Sequence, residues 1–77
     1  MNKQRRNRLQ KVIDKLEELK KEVSSICEEE QDAYDNMPKS LHDGERGSQM
    51  YENISTLEYQ ECNLDDLIDN LQEVLEV

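Results

Sequence analysis

Tryptophan and phenylalanine are absent from this chain, and proline and histidine occur once each, as Pro38 and His42. Only three tyrosines supply aromatic surface, which excludes a thick core filled by large rings. Helix breakers are equally scarce. Pro38, Gly44 and Gly47 are the only proline and glycines, and they fall together mid-chain. The long segments on either side contain nothing that would interrupt a helix. The lone histidine leaves Ser40, Ser48, Cys27 and Cys62 without a convincing base, and there is no glycine-rich lysine loop for phosphates. No enzyme activity and no cofactor are therefore expected. The two cysteines, with no secretory leader ahead of them, suggest free thiols in a reducing, cytoplasmic compartment. No apolar run approaches the roughly 20 residues needed to span a membrane.

What is plentiful is charge. Of 77 residues, 19 are acidic and ten basic, for a formal net charge of -9. The first eleven residues hold five of the bases (Lys3, Arg5, Arg6, Arg8 and Lys11) and no acid. The other 66 set five bases against all 19 acids, a net of -14. An acidic body with a basic tip repels nucleic acid and membrane surfaces. It suits basic protein surfaces, including those built to grip DNA.

Apolar residues recur with a heptad period on both sides of the proline. Leu9, Val12, Leu16, Leu19, Val23, Ile26, Ala33 and Met37 form one seam, with Glu30 its single polar break. Met50, Ile54, Leu57, Leu64, Ile68, Leu71 and Leu75 form the other, with Glu61 the break. Folding the chain back aligns every layer at once, from Met37 opposite Met50 to Val12 opposite Leu75. The expected fold is all-α. It is an antiparallel two-helix coiled-coil hairpin in one domain, with helices over about 3–37 and 45–76 and a bend over 38–44. This register brings the basic tip beside Glu73 and Glu76, so each helix end offsets the other's dipole. A two-helix hairpin has no true interior. Ile13, Cys27, Leu67 and Val74 widen its apolar face, so a homo-oligomer, a dimer or higher bundle, is expected.

Three groups of residues are candidates for sites. Glu30 and Glu61 form a polar layer that fixes register more readily than it binds metal, since neither helix supplies a histidine three residues on. Glu58, Asp65, Asp66, Asp69 and Glu73 line the second helix as an acidic track. Acidic residues routinely form a solvated helix face, and such a track also imitates phosphates to a basic partner. Lys39, Ser40, His42, Arg46 and Ser48 sit in a bend longer than a hairpin needs. They are close to free backbone N–H groups at a helix start, which suit an anion. Tyr34 and Tyr51 should meet over the bend, and Tyr59 should be exposed.

The stretch EEEQDAYDNMPKSLHDGERGSQMYENISTLE resembles a group of small acidic proteins from Gram-positive bacteria and their phages, whose bend reads DNMPxSLxxSERG before an acidic amphipathic helix. Asp35-Asn36-Met37-Pro38, Ser40-Leu41 and Glu45-Arg46-Gly47 carry the match, and Gly44 stands where serine is usual. The resemblance spans about half the chain. It implies a helical hairpin and a phage origin, hence a host cytoplasm, and brings no binding residues with it. Two functions remain open. One is a phage-encoded protein that binds and inhibits a host defence or DNA-handling protein through its acidic face. The other is an oligomer that sequesters an anionic small molecule, such as a nucleotide signal, at the bend.

Overall fold

The computed structural model describes residues 1–76. Helix α1 spans Lys3–Asp35, a single turn α2 spans Lys39–His42, and α3 spans Glu45–Glu76. There is no strand among the described residues. The long helices pack antiparallel into a rod of 58 × 15 × 14 Å. Arg6 Nη1 donates to the Leu75 carbonyl at 2.6 Å, Lys20 pairs with Asp65, and Tyr34 lies 6.4 Å from Tyr51, ring centre to ring centre.

Each helix end has its own closure. Asn2 caps α1, its Oδ1 accepting the Arg5 N–H at 2.8 Å and its carbonyl the Arg6 N–H at 3.0 Å. The first turn of α1 is otherwise basic, against the helix dipole. Arg6 relieves part of this by capping the carbonyl end of α3. Pro38 stops α1, because its ring excludes helical backbone at the preceding residue. The helix ends at Asp35, two residues before the sequence pattern suggested, and residues 36–44 accommodate the α2 turn. The Gly44 carbonyl accepts the Ser48 N–H at 3.0 Å and opens α3.

The face that α3 turns inward is the expected one. Ile54 and Ile68 are buried, and Met50, Leu57, Glu61, Leu64, Leu71 and Leu75 are half-buried between them. The face of α1 differs from expectation. Ile13 is wholly buried and Cys27 is 7% exposed, while Val12, Leu19 and Ile26 are 46%, 57% and 45% exposed. Ala33 is exposed too, and half-buried Lys20 and Tyr34 take the inner positions with Ile13 and Cys27. Helix α1 is thus turned by roughly 50°, half a residue step, from the arrangement in which Val12, Leu19 and Ile26 meet α3. Polar partners make the turn tolerable. Lys20 reaches Asp65 past the seam, and the Ser24 hydroxyl donates to Glu61 Oε2 at 2.8 Å. Ser24, not Ile26, is therefore the residue facing Glu61.

Candidate functional site

The rotation of α1 gives the hairpin two unlike faces. Residues one side of the seam are polar on both helices. Glu17, Lys20, Ser24 and Glu28 of α1 face Asp65 and Asp69 of α3 across an open cleft of about 560 Å³. Gln72 Nε2 bridges to Glu17 at 3.5 Å in the same cleft. On α3 the carboxylates of Glu58, Asp65, Asp66, Asp69 and Glu73 share an arc of roughly 100°, as 100° per residue requires of these spacings. All five residues are exposed. Asp65 is bound to Lys20, and this pairing raises the Lys20 pKa above its ordinary value, first through the hydrogen bond and then through the charges of Asp65, Glu61 and Asp69. Glu58, Asp66, Asp69 and Glu73 have no hydrogen bond or ion pair of their own within the described residues.

Glu61 sits in the wall between cleft and core. It accepts from Ser24 and lies against the Cys27 thiol, whose pKa is pushed up by burial and then by the charge and hydrogen bond of Glu61. Such a thiol is protonated and unreactive at neutral pH. Glu30 is half-buried one layer on, in the direction of the bend. Among the described residues no group of His, Cys, Asp and Glu is arranged to hold a metal ion.

In the bend, one of the five candidate anion-binding side chains is committed to the fold. His42 is turned inward. Its ring stacks on Tyr34 with centroids 4.4 Å apart, and Nε2–H donates to the Tyr34 carbonyl at 2.8 Å. That carbonyl also accepts the Met37 N–H at 3.1 Å, so His42 and Met37 together close the end of α1. Lys39, Ser40, Arg46 and Ser48 are exposed. Gly47 is buried against α2. A Cβ there would lie 2.3 Å from the His42 carbonyl oxygen and 2.6 Å from that of Leu41. The glycine is thus a contact surface for α2 inside α3, not a break in the helix.

The opposite face is apolar; the sequence pattern marked Leu67 and Val74 as part of an oligomerising face but placed Val12, Leu19 and Ile26 in the hairpin seam. It carries Val12, Leu19 and Ile26 of α1 beside Leu67 and Val74 of α3, with half-buried leucines between them. The signal was present in the sequence: a stripe at seven-residue spacing, in excess of what one partner helix covers. No helix among the described residues is long and apolar enough to cross a membrane. Neither a protein-family model, nor a curated protein, nor a solved structure matches the chain.

Proposed function

We propose that the protein is a non-enzymatic interaction module whose acidic face docks on a basic protein surface of the kind that grips DNA. Its role, on the phage resemblance of the bend, is to occupy and inhibit a host defence or DNA-handling protein in the host cytoplasm. The observation that carries the reading is segregation. The carboxylates of Glu58, Asp66, Asp69 and Glu73 are exposed, unpaired within the described residues and gathered on one flank of α3, while the half-buried Leu57, Leu64, Leu71 and Leu75 lie away from it. From Glu58 to Glu73 the helix rises roughly 22 Å, so the five acids of the track are spaced about 6 Å apart on average. One strand of duplex DNA presents a phosphate about every 3.4 Å, a density of the same order.

The test is affinity capture from a Gram-positive bacterial lysate. A DNA-binding or defence protein should be retained by the wild type and released by about 0.5 M salt, at which exposed charges are screened within a few ångströms. It should be lost from the variant carrying Glu58→Gln, Asp66→Asn, Asp69→Asn and Glu73→Gln, none of which contributes a bond to the fold. Retention of the same protein by that variant sinks the reading.

A further inference from the structure

The apolar face has an occupant that the charge pattern beside it specifies. Val12, Leu19 and Ile26 repeat every seven residues along α1 and are all about half exposed. At the outer rim of this stripe, four residues before each member and before Ala33, stand Arg8, Lys15, Glu22 and Glu29. All four are exposed, and no ion pair within the described residues holds any of them. Their order along the helix is two bases, then two acids.

We propose that the apolar face is the interface with a second copy of this chain, and that α1 packs antiparallel on α1 about a twofold axis at Leu19. Antiparallel pairing sets Arg8 against Glu29 of the second copy and Lys15 against Glu22. Both pairs are centred between Glu18 and Leu19. The same alignment sets Val12 against Ile26 of the second copy and Leu19 against its own symmetry mate. Parallel pairing sets Arg8 beside Arg8 and Glu29 beside Glu29, repulsions that flanking charges of helical pairs are arranged to avoid.

Two further observations agree. From Asn53 onward the flank of α3 that shares this face, through Gln60, Leu64, Leu67, Leu71 and Val74, carries no charge, in a helix that is otherwise densely acidic; Arg46, one heptad earlier, is its one charge. Depletion of charge marks the centre of an interface. The area also suffices. A face 58 Å long and 15 Å wide, laid whole on its copy, buries roughly 800 Å² per partner, the size of a standard stable interface. The four helices then form a bundle, and both acidic faces remain outward. The dimer therefore presents two copies of the acidic face, and its test is independent of whether that face finds a partner.

Sedimentation equilibrium of the full chain at about 100 µM should give twice the chain mass of 9.1 kDa. Leu19→Glu should raise the dissociation constant on the order of 100-fold, as loss of a central apolar contact does. Arg8→Glu with Lys15→Glu should weaken the dimer, and adding Glu22→Lys with Glu29→Lys should restore it, a rescue that a fold defect would not show. Orientation is read by oxidation in a Cys27→Val, Cys62→Ser background. Val12→Cys mixed with Ile26→Cys should give the mixed disulfide, and Val12→Cys alone should give none. A monomer at 100 µM overturns the proposal and assigns the face to a partner of different sequence. A Val12→Cys homodisulfide overturns it in favour of parallel packing, and charge reversal without rescue removes its basis.

Discussion

Alanine at position 47 places a methyl group where the backbone of α2 already stands. The added Cβ would be 2.3 Å from the His42 carbonyl oxygen, 2.6 Å from that of Leu41 and 2.7 Å from the His42 carbonyl carbon. These are main-chain atoms and cannot rotate aside. Reaching ordinary contact, from 2.3 to 3.4 Å, requires α2 to retreat by about 1 Å. That retreat pulls His42 from Tyr34, loosening a ring stack and a hydrogen bond worth about 1 kcal/mol. Overpacking itself costs about 1–3 kcal/mol. Opposing both is helix propensity, which favours alanine over glycine in a helix by about 1 kcal/mol. The balance is a loss of about 1–3 kcal/mol, or roughly 5–20 °C in Tm for a domain of this size. Gly44→Ala is the matched control. Its Cβ would meet the Leu41 carbonyl oxygen at an ordinary 3.4 Å, and no glycine here has positive φ. That change should stabilise the fold by about 0.5 kcal/mol, by restricting the unfolded chain. Thermal and urea melts followed by helical circular dichroism, at one fixed protein concentration, read both variants. A Gly47→Ala protein that melts at or above the wild type refutes the packing argument.

The core makes a second comparison. Ile13→Ala should cost about 2–4 kcal/mol, because Ile13 is wholly buried, while Val12→Ala, measured on diluted protein, should cost under about 1 kcal/mol. The reverse order in urea melts would restore the Val12 face to the hairpin seam. Glu61→Leu should stabilise by about 1 kcal/mol in the same assay, since apolar burial in the seam outweighs one hydrogen bond from Ser24, which water can replace; destabilisation would mark the Ser24–Glu61–Cys27 group as structurally required. The pH dependence follows from Cys27 and Lys20, whose folded pKa values are both raised above the ordinary 9.0 and 10.5. Their contribution is complete below those values and is lost as pH rises through the folded ones. Tm should therefore fall as pH rises above about 9, first through Cys27 and above about 10.5 through Lys20, with the first part of the fall lessened in Cys27→Val; a flat or rising Tm contradicts the assignment.

Much of this molecule was legible in its sequence. The apolar spacing of α3 has one reading, since Ile54, Leu57, Leu64, Ile68 and Leu71 form a single stripe against dense acid, and that stripe is inside. Pro38 and the paired Tyr34 and Tyr51 located the bend. Helix α1 was ambiguous because Leu9, Leu16 and Val23 can be completed on either side, by Val12, Leu19 and Ile26 or by Ile13, Lys20 and Cys27. Pattern alone favours the more apolar set. The hairpin adopts the other because Lys20 can carry its charge out to Asp65. Glu58, Asp65, Asp66, Asp69 and Glu73 are exposed on α3, but the capture of Asp65 by Lys20 depends on the rotation and was hidden. Gly47 was read as a helix breaker and His42 as a candidate anion ligand of the bend. Their roles arise from a one-turn helix whose approach to α3 no local pattern records.

Thiol labelling on dilution tests the arrangement of faces most directly. It compares native Cys27, in a Cys62→Ser protein, with Ile26→Cys in a Cys27→Val, Cys62→Ser protein. Cys27 is buried within the hairpin and should react at least about tenfold more slowly than an unfolded thiol at every protein concentration. The thiol at position 26 faces outward from the hairpin. It should be protected at high concentration by the second copy and react freely once the dimer is diluted apart. Protection of position 26 that survives dilution, or rapid labelling of Cys27, contradicts the account.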